Sequence, residues 1–410
     1  MSGDIKITGH ETIGTHPFSL TLWIRNIFFK MLSRLEYGQI IIEDQGNQWK
    51  FGKEYQLSAR IIINDPAAYR KIVFGGSIGA GEAYVNGLWD ADDLTNLVQI
   101  MARNMFLVDK MEQGFAWLLR PVDFIQHFLN GNSKRKAKQN ILAHYDLGNE
   151  LYEAFLDHTL LYSSAIYPTA ESSLEEAQQH KLAVLCDRLD LKPGDSVLEI
   201  GTGWGGFALY AAEHYDCHIT TTTISDAQYE EASRRVADAG LENRVTLLQQ
   251  DYRDLTGQYD KLVSVEMIEA VGHRFLPGFF KKCGELLRPG GTMVLQAITI
   301  RDQKYNQYRR GVDFIQRYVF PGGCLPSISR MVELLATETD MVVRKIDDFG
   351  HDYARTLEDW LQRFRETYPE LRKKGYDETF KRLWEFYLCY CRGGFLEQTI
   401  SVAHVVATRP

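Results

Sequence analysis

The chain has 410 residues, 45% hydrophobic and 24% charged, with a formal net charge of −8. That is enough for about two to three domains at roughly 150 residues each, and the acidic balance argues against a general nucleic-acid binder. No stretch reaches the run of about 18 uncharged apolar residues that would span a membrane, and the opening MSGDIKITGH lacks the basic region and apolar core of a secretory signal.

Near the N-terminus, PFSLTLWIRNIFFKMLSRLEYG places Trp23, Ile24, Ile27, Phe28, Met31, Leu32 and Leu35 at helical spacing. This predicts an amphipathic helix that either faces a core or lies on a lipid surface, with Arg25, Lys30 and Arg34 on its polar side. QIIIEDQGNQWKFG and YQLSARIIIND then alternate around turn residues, as strands of a small sheet do. VFGGSIGAGEAYVNGLWDADDL is glycine-rich but lacks the lysine of a phosphate loop, so no nucleotide site is expected there. NGNSKRKAKQN, residues 130–140, carries Lys134, Arg135, Lys136 and Lys138 and marks a boundary. It reads as a solvated linker or as a basic hook for anionic lipid. The expected division is therefore an N-terminal α+β lipid-engaging domain over 1–129, a basic linker over 130–140 and a second domain over 141–410.

From Ser173 onward helices and strands alternate. SSLEEAQQHKLAVLCDRLDL opens on a capping-box pattern with Glu175 and Glu176. SVLEIGTGWGGFALYAAEHY reads as strand, glycine turn and helix. CHITTTTIS, RVTLLQQD, YDKLVSVEM and GGTMVLQAITI are further strands, separated by helices such as SDAQYEEASRRVADAG and FLPGFFKKCGELL. This alternation predicts an α/β, doubly wound, Rossmann-like domain whose parallel sheet binds ligands beyond the carboxyl ends of its strands.

In EIGTGWGG, Gly201, Gly203 and Gly205 allow a ligand to approach backbone N–H groups at a helix N-terminus. Glu199, just before the turn, suits the methionine ammonium of S-adenosylmethionine and is poorly placed for a pyrophosphate. Where a dinucleotide enzyme needs an acid for the ribose, Thr223, Ile224 and Ser225 precede Asp226. These residues favour a methyl-donor site. Six scattered cysteines (Cys186, Cys217, Cys283, Cys324, Cys389, Cys391) read as reduced thiols of a cytosolic protein. His144, His273 and His351 have no metal-ligand spacing, so no metal is expected.

VLEIGTGWGG, TISDAQ, QDYRDL, HYDLGNELY, FPGGCLPS, FGHDYARTL and GEAYVNGLWDADDL together resemble the cyclopropane fatty acid synthase family from about residue 40 onward. The resemblance implies methyl transfer from S-adenosylmethionine to the double bond of an unsaturated acyl chain in a phospholipid. Carried over position by position, it implies that Tyr145, Tyr162, Ser163, the turn glycines, Thr223, Gln228, Asp251 and Tyr252 contact the methyl donor. It also implies a bound bicarbonate as base, held by Glu269, the Ile298 backbone N–H and the Tyr353 hydroxyl. Two positions depart from the family pattern: Ser164 stands where cysteine is usual and Gln296 where histidine is common. Both can still donate to an anion.

An alkene is a weak nucleophile, and its attack on a sulfonium methyl leaves positive charge on carbon, so the site must be dry and negatively biased. A base then decides the product. Loss of a proton from the new methyl closes a cyclopropane ring; loss from a chain carbon leaves a methylene branch, which needs a partner reductase to become a methyl branch. Glu266 would share a helical face with Glu269 if the segment is helical, but the end of a strand is expected to send it elsewhere. Tyr305, Tyr308, Phe314, Tyr318 and Phe320, with Arg309, Arg310 and Arg317, suggest a lid or acyl channel with basic residues for a phospholipid headgroup. The overall expectation is a cytoplasmic enzyme, peripheral on the inner face of the membrane and forming cyclopropane fatty acids. The alternatives are a methylene- or methyl-branched product, and a non-catalytic lipid-binding protein on a methyltransferase fold. A homodimer is left open.

Overall fold

The computed structural model describes residues 20–53, 57–105, 107 and 148–410; Tyr145, His144 and the basic segment 130–140 lie outside the described residues. Isoleucine-rich alternation in the first third produces strands β1 (Gln39–Asp44), β2 (Asn47–Gly52) and β3 (Ser58–Ile63), joined by the short β4 (Trp89–Ala91). Gln45 and Gly46 both take positive φ, 49° and 80°, the two-residue turn that matches strand twist and closes β1 onto β2. The sheet order is β2-β1-β3-β4, with β1 and β3 parallel.

Helix α1 (Leu20–Leu32) buries Ile24, Phe28 and Leu32, and Phe29 packs between Trp49 and Phe51 of β2. Its opposite edge leaves Leu20, Leu22 and Trp23 at least 40% exposed. The helix therefore faces a core on one side and carries an apolar rim on the other. The glycine-rich stretch forms α2 (Ala67–Val85), kinked at Gly76. A Cβ at Gly81 would stand 2.4 Å from the Phe314 ring and 2.9 Å from that of Phe386. The glycine is thus required for close approach of α2 to the second domain and not for a phosphate. Helix α3 (Leu94–Arg103) follows, capped by Asp93.

The second sheet is built from β5 (Ser196–Ile200), β6 (His218–Thr223), β7 (Val245–Gln249), β8 (Tyr259–Val265), β9 (Leu287–Ile300), β10 (Val342–Asp348) and β11 (Ile400–Thr408), in the order β10-β11-β9-β8-β5-β6-β7. Five strands are parallel, as the alternation predicts. One strand departs from an all-parallel sheet: β11 runs antiparallel between β9 and β10, so that β10 runs the same way as β9. The register of β11 on β9 sets His404 opposite Gln296.

Helices α4 (Asn149–Phe155), α5 (Leu174–Leu189), α6 (Gly206–Tyr215), α7 (Asp226–Asp238) and α8 (Leu276–Leu286) accompany the strands. The capping box of α5 forms between Ser173 and Glu176. After β9 come the short α9 (Asp302–Tyr308) and α10 (Phe314–Tyr318), then α11 (Ile328–Glu338), α12 (Gly350–Lys373) and α13 (Glu378–Leu396). The two domains dock through α13. Arg382 donates to the carbonyls of Tyr84 and Trp89 at 2.6 and 2.8 Å, while Gln99 and Arg103 of α3 both reach Glu397 at 2.8 Å. Among the described residues no helix is long and apolar enough to cross a membrane.

Candidate active site

A cavity of about 1390 Å³ opens at the carboxyl ends of β5, β6 and β8 and continues between the two domains. At one end it is walled by Glu199, Gly201, Thr202, Gly203, Thr223, Gln228, Asp251 and Tyr252; at the other by Phe28, Ile40, Ile61, Ile72, Leu97 and Met101 of the N-terminal domain. The middle is lined by Tyr162, Ser163, Glu266, Glu269, Ile298 and Tyr353. Polar turn, ionisable centre and apolar wall are thus one continuous space.

At the polar end, Gly201, Gly203 and Gly205 all take positive φ, and a Cβ at Gly203 would meet nothing within 4 Å, so this backbone stands open to a ligand. Gly205 differs from the expectation: it is absent from the cavity wall and instead begins α6 against Ala232. Thr223 donates to Gln228 at 2.8 Å. Asp251 is held by Arg253 through its backbone N–H and guanidinium, and Tyr252 packs edge-on against Phe279. These groups fit a nucleoside with an amino-acid tail: open N–H groups, a carboxyl for an ammonium and polar side chains at the ends of successive strands.

Glu199 sits 2% exposed opposite Thr221, whose hydroxyl donates to it at 2.6 Å. Burial pushes its carboxyl up to about 8, with the Thr221 hydrogen bond pulling the other way. Below pH ~4.5 folded and unfolded chains both hold this proton. Between there and about pH 8 only the folded chain does, so ligand-free stability falls through that window and is flat above it. Glu199→Gln is therefore expected to stabilise the apo protein over wild type at pH 8 by on the order of a few kcal/mol, seen as a higher melting temperature. The gain should vanish near pH 4.5; thermal denaturation at the two pH values checks this.

The LYSSAIY loop is pinned from behind by α5. Its apolar face, Leu174, Ala177, Leu182, Leu185 and Leu189, also carries Gln178 and Lys181, both fully buried. Gln178 donates to the carbonyls of Leu161 and Ser163, and Lys181 Nζ donates to Ser163 Oγ at 2.7 Å. Burial lowers the Lys181 amine to about 8 against the opposing pull of Glu266 and Asp157. Tyr162 packs among Tyr152, Phe155, Trp360 and Phe320, with its hydroxyl 2.8 Å from that of Tyr387.

The centre differs from the expected anion cradle. Ser164 and Gln296 are wholly buried and do not line the cavity. The Ser164 hydroxyl donates to the Ala165 carbonyl; its backbone N–H donates to Glu266 Oε1 at 2.8 Å. Gln296 Nε2 donates to the same oxygen at 2.7 Å, and the Tyr353 hydroxyl donates to Glu266 Oε2 at 2.8 Å. The Ile298 N–H donates to Glu269 Oε1. Of the donors expected to hold a bicarbonate, Gln296, the Tyr353 hydroxyl and the Ile298 N–H are therefore engaged by two side-chain carboxylates and the Ser164 hydroxyl by a backbone carbonyl, so this residue set does not fit a further anion. Glu266 is not sent elsewhere by the strand end. It takes φ 48° immediately after β8, and this left-handed turn points it into the donors.

Burial first, then the neighbouring Glu266 charge, pushes Glu269 up to about 8; its Oε2 is buried without a hydrogen-bond partner. Burial also raises Glu266, but Gln296, the Ser164 N–H, Tyr353 and Lys181 all favour its ionised form. On balance both are raised, but Glu266 accepts three hydrogen bonds, as a carboxylate does, whereas Glu269 accepts that of Ile298 N–H and holds its proton up to about 8.

Sequence reasoning missed Lys181 and His404. Lys181 was detectable as a cation on the apolar face of a capped helix. The lid residues divide. Tyr308, Arg310 and Phe320 line the cavity, Phe314 and Tyr318 meet the N-terminal domain, and Tyr305 bonds His273. Arg309 also reaches His273.

Residues 132–405 match the family model described as mycolic acid cyclopropane synthetase. The chain is 39% identical over 351 residues to the tuberculostearic acid methyltransferase of Mycobacterium tuberculosis, covering 83% of this chain and 81% of that protein. It is 38% identical over 352 residues to the cyclopropane-fatty-acyl-phospholipid synthase of Escherichia coli, covering 86% and 88%. Among solved structures, the mycolic acid cyclopropane synthase complexed with SAH and CTAB superposes with a TM-score of 0.62 at 27% identity, over 66% of this chain and 98% of that one. With the family model spanning most of the chain and such relatives covered over more than four fifths of their length, the chain belongs to the cyclopropane fatty acid synthase family of S-adenosylmethionine-dependent methyltransferases.

Proposed function

We propose that the protein transfers the methyl group of S-adenosylmethionine to the double bond of an unsaturated acyl chain carried by a membrane phospholipid, and closes it to a cyclopropane. The observation that carries this reading is the continuity of one cavity from the glycine turn, past Glu266 and Glu269, to the apolar wall of the N-terminal domain. That wall accepts a hydrocarbon chain and excludes water. The carboxylate and the aromatic rings around Tyr162 and Tyr353 face the place where positive charge develops on carbon.

The donor contacts proposed are Tyr162, Ser163, Glu199, Gly201, Gly203, Thr223, Gln228, Asp251 and Tyr252, with Tyr145 as a further candidate. Arg301, Lys304 and Arg310 also line the cavity and suit a lipid phosphate. The exposed rim Leu20, Leu22 and Trp23 suits contact with a bilayer on the cytoplasmic face. A protein expressed in cells with unsaturated phospholipids should add a methylene-equivalent mass to their acyl chains; lipids of unchanged mass would sink the proposal.

A second reading, a methylene branch, is favoured by the changes at Ser164 and Gln296 and by the likeness to a tuberculostearic acid methyltransferase. It requires the proton to come from a chain carbon, and a partner reductase if a saturated methyl branch is the final product. Proton NMR of the modified lipid separates the two, because cyclopropane hydrogens lie far upfield of alkene ones.

A further inference from the structure

We infer that Glu266 is the general base of this enzyme, a side-chain carboxylate standing where a bound bicarbonate was expected; the inference rests on the proposed methylation of an alkene. Both Glu266 oxygens are engaged: Oε1 by the Ser164 N–H and Gln296 Nε2, Oε2 by the Tyr353 hydroxyl. These donors leave the carboxylate lining the cavity, in the stretch between the glycine turn and the apolar wall.

The orientation of Gln296 is fixed by groups outside the cavity. Arg188 donates to His404 Nδ1, so the neutral imidazole carries its proton on Nε2. Nε2 lies 2.8 Å from Gln296 Oε1 and donates to it. The amide must then turn its NH2 toward Glu266 Oε1 and the Ser164 carbonyl. Burial and the nearby Arg188 and Lys181 charges hold His404 well below its ordinary range, which keeps it neutral. A glutamine in this chain acts as a one-way donor aimed at a carboxylate.

Two further features point the same way. Glu266 is a non-glycine residue at positive φ, a strained conformation that places its side chain among the donors. The remaining backbone donor, Ile298 N–H, is taken by Glu269. A free bicarbonate would find no unengaged donor in this set and would face the Glu266 charge.

In the reaction, the alkene π pair forms the new C–C bond to the methyl group. The C–S bond breaks with its pair left on sulfur, giving S-adenosylhomocysteine, and the second alkene carbon becomes cationic. Glu266 takes one proton from the transferred methyl, and that C–H pair closes the ring onto the cationic carbon; if the proton instead leaves a chain carbon next to the cation, the pair forms the new C=C. Glu266 ends the step as a carboxylic acid and returns its proton to solvent before the next turnover.

The test compares wild type, Glu266→Gln and Glu266→Gly in buffer stripped of carbon dioxide and in the same buffer with added bicarbonate. Wild type should turn over equally in both. Glu266→Gln should bind S-adenosylmethionine within about threefold of wild type by calorimetry yet lose turnover at least ~100-fold. Glu266→Gly, with the donor set vacated, should regain turnover at least ~10-fold on adding bicarbonate and bind 13C-labelled bicarbonate by NMR, which wild type should not. A wild type that binds the labelled anion or depends on it overturns the assignment, as does a Glu266→Gln variant of normal rate. A wild type that methylates no lipid, while only Glu266→Gly takes up the anion, would fail the proposed function and keep the assignment of Glu266 to the anion's place.

Discussion

Gly201→Ala is expected to cut turnover roughly 100-fold and to weaken S-adenosylmethionine binding, with a stability loss of about 1–3 kcal/mol. The reason is twofold. Gly201 takes φ 103°, which L side chains rarely adopt, and a Cβ there would stand 3.0 Å from both Cβ and Cγ of Met267. Met267 lies between Glu266 and Ile268 and immediately precedes the short helix that carries Glu269, so relief of the clash moves the carboxylate loop and the glycine turn apart. The two half-sites are packed through this one glycine. Calorimetric titration with S-adenosylmethionine, initial rates and thermal denaturation check the three parts. A variant with normal affinity and rate would show that the turn and the carboxylate loop are not mechanically linked.

Lys181→Met should leave the fold intact and still lower the rate at neutral pH by about tenfold or more. The amine is fully buried, so the similarly sized apolar methionine removes the cost of desolvating a cation, which offsets the loss of its hydrogen bond to Ser163 Oγ and of its attraction to Glu266. The functional cost is electrostatic. Lys181 is one of the groups that favour ionised Glu266, and burial alone raises that carboxyl. Without the amine its proton affinity rises further, and a shift of one pKa unit corresponds to about 1.4 kcal/mol. A base is lost when protonated, so the acid limb of the pH–rate profile must move to higher pH. Lys181→Arg, which keeps the charge but not the fit, should move that limb less. An acid limb that stays in place while the rate falls would mean that Lys181 only positions Ser163.

Much of the fold was legible because it is written in local patterns. The period of α5, the cap at Ser173, the turn at Gln45–Gly46 and the strand–glycine–helix run at Glu199–Gly206 each depend on neighbours a few residues apart. The antiparallel strands β10 and β11 were not anticipated, and His404, whose role comes entirely from facing Gln296 across a sheet, was missed with them. Gly205 shares the spacing of Gly201 and Gly203, which suggests a ligand contact, but its φ of 87° serves the start of α6.

The centre of the site shows the same limit more sharply. Residue types and motif order determined the methyl-donor turn, the doubly wound fold, the family, and the fact that Ser164 and Gln296 are departures from its pattern. Which carboxylate the donors face was decided by one backbone angle at Glu266, by the strand register that sets His404 against Gln296, and by the hydrogen bonds that fix the imidazole proton. The identities of Ser164, Gln296 and Tyr353 are compatible with a free anion or with a side-chain carboxylate, because a donor's chemistry does not say what it points at. Direction is a property of the assembled sheet, where residues 102 and 87 positions from Glu266 in sequence, Ser164 and Tyr353, meet on its two oxygens.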